Sequence, residues 1–287
     1  MKLQFKTDPD LSFLRACAVV ATSGRAVDPK IEQATREAAL VINERLDLAE
    51  LNLQAFWQAM VGLGTIAEEV RVERSLLAAG CAELGVDSLA PAVRGRLADA
   101  RLAFREQFPK LADQLPLRAR PLKELWEASG PGTLKEIGRR TVAKLIPPRV
   151  TVHLIQPVRG GDGGLLMDID AVWMEAVLSN PHPAIPETLR VAWLVARKGL
   201  DRGEPSQLLT PVRWSRAAAL ALVPIVLSAA EELGTCEASE ANIAIASQLW
   251  IGEGDVTQLL NWWKQMRERE LPLPVAIKAL DKMMTEE

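Results

Sequence analysis

Apolar residues recur at helical spacing along most of the chain. The clearest case follows Asp28-Pro29, an N-cap with proline at the first helical position, after which Ile31, Ala34, Ala38, Val41, Ile42 and Leu46 mark one face. Before it, Asp8 or Asp10 caps a shorter helix on Leu11, Leu14, Ala18 and Ala21, ended by Ser23-Gly24. After it the pattern predicts a segment through Leu53, Phe56, Trp57 and Met60. A helix on Val70, Leu77, Cys81 and Leu84 then stops at Gly85, and another runs through Leu97, Leu102 and Phe104. Such lengths and short connections describe an antiparallel helical array.

One segment departs from this period. Val150-Thr151-Val152-His153-Leu154-Ile155-Gln156 reads as a strand, the glycine knot Gly160-Gly161-Asp162-Gly163-Gly164 follows, and a second apolar run extends from Leu165 to Val177. The knot reads most simply as the turn of a long β-hairpin, with glycines permitting positive φ. Beyond it, Asn180-Pro181-His182-Pro183 forms a rigid turn and a helix spans Glu187 to Lys198 before Gly199. Ala217 to Leu227, with Pro224 inside, is the most apolar stretch and predicts a buried central helix, too short in its apolar run to span a bilayer. Val256, Leu259, Leu260, Trp263 and Met266 form one helical face with Trp262 at its edge, and a last helix carries Val275, Ile277, Leu280 and Met283.

The fold class expected is mainly α, of α+β type: a helical N-terminal region, and a C-terminal region with a small antiparallel β-hairpin packed on helices. Pro109, Pro116 and Pro121 interrupt the helical pattern. They divide the chain into a helical region over 1–115, a basic helical connector over 116–149 and an α+β region over 150–287.

Composition adds bounds. The 287 residues are 48% hydrophobic and 25% charged, with net charge −3, which fits a globular protein and gives no global drive toward nucleic acid or anionic lipid. Charge is uneven: basic residues exceed acidic ones around Arg139-Arg140, whereas eleven acidic residues face five basic ones from Glu231 onward. Cys17, Cys81 and Cys236 have no metal or disulfide spacing and imply a reducing compartment. The N-terminal residues show no secretory pattern, so the expected location is cytoplasmic.

Candidate chemistry is sparse. Gly160, Gly161, Gly163 and Gly164 could offer backbone amides to a phosphate or small ligand, but no Lys-Ser or Lys-Thr pair follows. Asp168 and Asp170, two apart on a strand, would share a face, yet calcium-loop spacing is absent and no metal site is assigned. His153 and His182 are the only histidines, and the sequence places neither beside a partner. Trp262 and Trp263, flanked by Lys264, Arg267 and Arg269, have the composition of an interface hot spot.

A helix containing Trp126-Glu127, a strand, a Gly-rich hairpin, a second strand, the helix Glu187 to Lys198 and the long helix ending at Gly234 follow one another in order. This layout, over Leu125 to Gly234, resembles a minimal zincin metallopeptidase core. The resemblance implies HExxH on the helix after the sheet, where this chain reads Ala192-Trp193-Leu194-Val195-Ala196, so no functional residue transfers. The expected function is that of a noncatalytic cytoplasmic interaction or scaffold protein, binding a protein partner or itself, without cofactor, membrane or nucleic acid. The alternatives are a catalytically degenerate peptidase-like fold and a phosphate or small-ligand binder at the glycine turn.

Overall fold

The structure is a computed structural model and describes residues 1–22, 24–202, 209–253, 256–268 and 271–285. Ser23, part of the first helix stop in the sequence reading, and Arg269, beside the tryptophan pair, lie outside that set. The described residues form eleven α-helices and four strands, so the protein is mainly α with a small sheet. By its internal contacts the chain divides into two compact units, an N-terminal one of Lys6–Ala119 and His153–Val177 and a C-terminal one of Met1–Phe5, Arg120–Val152 and Leu178–Glu287.

The N-terminal unit carries α1 (Pro9–Ala21), α2 (Pro29–Leu48), α3 (Leu53–Gly62), α4 (Glu68–Ala78) and α5 (Glu83–Gln107). Asp8, Asp28 and Asn52 cap α1, α2 and α3 through side-chain oxygens, satisfying amides that have no partner within the helix. Ile31, Ala34, Ala38, Ile42 and Leu46 are buried as their spacing requires, and α2 packs on α1 and α5. The next boundary falls earlier than Gly85. Gly80, at φ +97°, ends α4, and Gly85 sits inside the first turn of α5. The buried face of α4 is also rotated from the expected one: Val72 and Leu76 are inside with Arg71 and Ser75, while Val70 and Leu77 are exposed, as is Leu84 in the first turn of α5.

Four strands, β1 (Lys2–Thr7), β2 (Arg149–Ile155), β3 (Gly163–Leu165) and β4 (Ala171–Glu175), are ordered β1-β2-β4-β3. β1 and β2 run parallel, as the bonds from Lys2 N–H to the Pro148 carbonyl and from Asp8 N–H to the Leu154 carbonyl show. The expected hairpin exists but is built differently. β3 and β4 pair antiparallel, Gly164 opposite Trp173, and the connecting turn lies at 166–170 rather than at the glycine knot, with Asp168 at φ +61°. Asp168 and Asp170 therefore share no strand face, and Asp168 pairs with Arg74 of α4.

The C-terminal unit holds most of α6 (Leu111–Arg140), then α7 (Glu187–Arg202), α8 (Pro211–Glu232), α9 (Glu240–Ile251), α10 (Thr257–Glu268) and α11 (Leu273–Thr285). Pro116 and Pro121 do not break α6, which also contains Pro131. The helix absorbs the lost amide bonds that normally make proline a breaker. Residues 217–227 of α8 are all buried, Pro224 included. By length and composition α8 could cross a membrane, and 72% of its apolar window is buried inside the protein. Arg140, in the basic stretch, pairs with Glu232 at 3.2 Å. Gly199 does not stop α7; it lies within the helix, at a position where a side chain would collide with the Leu145 carbonyl of the 3-10 turn Ala143–Leu145.

Candidate functional site

The N-terminal unit brings together an aspartate and a histidine 145 residues apart. Asp8 stands where β1 becomes α1: its Oδ1 accepts the Leu11 amide at 2.9 Å, capping the helix, and its Oδ2 lies 2.9 Å from Nδ1 of His153. His153 belongs to the face of β2 that alternates with the buried Val150, Val152 and Leu154, so the period of the strand turns it away from the apolar core. The bond from Asp8 N–H to the Leu154 carbonyl fixes the two side chains in register.

Burial raises the pKa of Asp8, but the hydrogen bonds from the His153 ring and the Leu11 amide outweigh it and hold the carboxyl below the ordinary 3.8. An ionised Asp8 can only accept, so His153 donates to it through Nδ1–H, which leaves Nε2 as the lone-pair nitrogen whenever the ring is neutral. No hydrogen bond from a described residue occupies Nε2.

The pair borders a cavity of about 610 Å³ whose other walls are strongly polar. Gly64, Thr65 and Ile66, in the α3–α4 loop, form one side. Gly64 allows the loop to approach α1, because a Cβ there would lie 2.3 Å from the Leu11 side chain. Arg71, 2% exposed, anchors the loop from below by donating to the Gly64 carbonyl at 2.8 Å. Burial lowers its pKa against the opposing charges of Asp10 and Glu68, which lie 3.7 and 3.5 Å from its Nη2.

Arg101 of α5 donates to Asp10 at 2.8 Å and to Glu68, and stacks over the Phe13 ring at 4.9 Å. Burial lowers its pKa, and these acceptors reverse the shift, so it stays charged. Arg105, one turn further along α5, is different: it is exposed at the cavity and pairs with no described carboxylate. The arrangement therefore offers an imidazole held in place by Asp8, Thr65 and one uncommitted guanidinium at the same cavity.

The sites expected from sequence lie elsewhere. The amides of the glycine knot are largely spoken for: Gly161 N–H donates to Oε2 of Glu175 at 2.8 Å, and Gly163 N–H donates to Oδ1 of Asp162 at 2.7 Å. Glu175 is fully buried and also accepts from Arg159 N–H at 2.9 Å; burial raises its pKa against these bonds. Gly160, at φ +85°, makes the bend before this cradle, and Gly164 lies in β3, close against the Trp173 indole.

Trp262 and Trp263 exchange the places expected of them. Trp262 is 2% exposed and its indole N–H donates to the Ala276 carbonyl of α11 at 2.8 Å, whereas Trp263 is the partly exposed member. An indole at the edge of an apolar face turns inward when the next helix offers an acceptor there. Of the cysteines, Cys17 is buried, with its thiol pKa pushed well up, and Cys81 and Cys236 are half-buried and unpaired. Among the described residues no three His, Cys, Asp or Glu side chains converge as a metal site needs.

The class defined by fold and site is thus a mainly α protein with an Asp–His pair at a polar cavity. No protein-family model, no curated protein and no solved structure matches the chain.

Proposed function

We propose that the N-terminal unit binds a small anionic molecule bearing an acidic or hydroxyl proton, and that His153, oriented by Asp8, accepts that proton. The observation that carries this reading is the 2.9 Å bond between Asp8 and His153 beside the cavity. A carboxylate that fixes Nδ1–H leaves Nε2 as an oriented base and stabilises the imidazolium formed on proton transfer. Arg105 supplies the charge for a carboxylate or phosphate, with the planar two-point geometry such groups favour.

The test uses lactate, malate and glycerol 3-phosphate as probes, with thermal shift and the NMR resonances of the two histidines as readouts. At least one probe is expected to raise the melting temperature and move His153 but not His182. Arg105→Glu is expected to weaken binding by about tenfold or more, and His153→Asn to leave binding but abolish the proton-linked pH dependence. If none of the three probes moves His153 or the melting temperature, the reading is refuted. A second reading, an interaction surface on α10, is favoured by the partial exposure of Trp263 next to the exposed Lys264. Loss of self-association on Trp263→Ala, with stability retained, would support it.

A further inference from the structure

The C-terminal unit contains a second cavity, of about 750 Å³, with the opposite chemistry. Its floor is one stripe of α6: Trp126, Leu134 and Gly138 line it and, with Gly130 between the first two, recur every four residues, so they lie one above another on the helix. Trp126 and Leu134 are each 4% exposed. The Trp126 indole lies flat along the stripe because position 130 is glycine; a Cβ there would meet the ring at 2.2 Å. Phe5 of β1 closes one wall, edge-on to Trp126 with ring centroids 6.3 Å apart, and Leu3 and Ile146 extend the apolar lining.

The adjacent stripe of the same helix, Glu127, Pro131, Lys135 and Arg139, forms the rim, and Lys2 stands beside it on β1. Arg139 already bonds Glu136 at 2.9 Å. Lys2 and Lys135 are exposed and pair with no described carboxylate, leaving two cationic groups over an apolar interior. Its size falls within the roughly 300–1,000 Å³ of small-molecule sites, and an apolar body with a few polar groups is their usual lining.

We propose that this cavity binds a free fatty acid, the acyl chain lying on the Trp126–Gly138 stripe and the carboxylate between Lys2 and Lys135. The charge complementarity selects an anionic head, and the apolar floor selects a hydrocarbon tail. An aromatic wall held against a glycine stripe gives the tail a flat slot.

Calorimetric titration of the full chain with octanoate, decanoate and laurate below their micelle concentrations tests this. Binding with one-to-one stoichiometry is expected, strengthening by roughly tenfold for each added pair of methylenes until the chain outgrows the slot. The double variant Lys2→Glu/Lys135→Glu is expected to weaken laurate by about fivefold and to leave dodecanol unchanged. Gly138→Phe should block the slot and abolish laurate binding. Should that variant fail to fold, the charge-reversal pair and the chain-length series decide the matter. The proposal is overturned if no fatty acid binds, if dodecyltrimethylammonium binds as tightly as laurate, or if the double variant binds laurate as the unaltered chain does. Binding to phosphatidylglycerol vesicles without laurate binding would assign the face to a membrane instead, and overturns it equally.

Discussion

Gly199→Ala is the sharpest test of the packing described above, because two effects of known sign oppose each other there. In a helix, alanine is preferred to glycine by up to about 1 kcal/mol. Against this, a Cβ at position 199 would stand 1.6 Å from the Leu145 carbonyl oxygen and 2.8 Å from its carbon, whereas ordinary contact begins near 3.4 Å. Backbone lies on both sides of the clash, so no side-chain rotation relieves it, and α7 or the 3-10 turn must move by nearly 2 Å. Overpacking of a methyl group typically costs about 1–3 kcal/mol, and a backbone-to-backbone collision belongs at the upper end. Subtracting the helical preference leaves a net destabilisation of about 2 kcal/mol. Gly95 provides the control: it lies inside α5, where an added methyl group would meet nothing within 4 Å, so Gly95→Ala should stabilise by up to about 1 kcal/mol. Urea unfolding followed by far-ultraviolet circular dichroism would give both values. A Gly199→Ala chain as stable as the parent would show that α7 does not press on Leu145 in solution, and would refute the argument.

Two further perturbations bear on the polar site and on the tryptophan pair. Asp8→Asn keeps an N-cap but loses the charged bond to His153, costing about 1.5 kcal/mol. Because the folded-state pKa of Asp8 lies below 3.8, its contribution is complete above that value and is lost as pH falls through the lowered pKa. The stability gap between parent and variant should therefore close as pH falls below 3.8, and a gap that persists or widens there would contradict the assignment. Trp262→Phe should cost about 1–3 kcal/mol through the orphaned Ala276 carbonyl and lost volume, while Trp263→Phe should stay within about 0.5 kcal/mol, both read from thermal melts. The reverse order would mean the two indoles are misassigned.

Helix α2 was legible because a cap, a first-position proline and a clean apolar period all agree, and α8 because its apolar run needs no period. Helix α9 was not: Ala241, Ile243, Ala244, Ile245 and Ala246 give no amphipathic face, and only Ser239 and the left-handed Gly252 mark its ends. The prolines of α6 misled for a related reason, since a breaker's local cost is overridden when tertiary contacts hold the flanking turns. β1 alternates Leu3 and Phe5 with polar residues, a signal of the right period but only six residues long. The site was hidden by distance. Asp8 was legible as a cap and His153 as a strand residue, but nothing local tells either that the other is its partner, because parallel pairing of β1 with β2 is a property of the whole topology.

Glu175 gives the glycine knot a different meaning from an empty cradle. Its carboxylate already sits where the oxygens of an external anion would sit, accepting from Gly161 and Arg159, and it is tethered to the same sheet. A phosphate entering there competes with the tethered carboxyl of Glu175, whose effective concentration is at least in the millimolar range, not with water. The loop is thus self-liganded. Its anion affinity is spent within the chain on joining β4 to the segment before β3, so the charge that makes the turn resemble a binding site acts as a clasp.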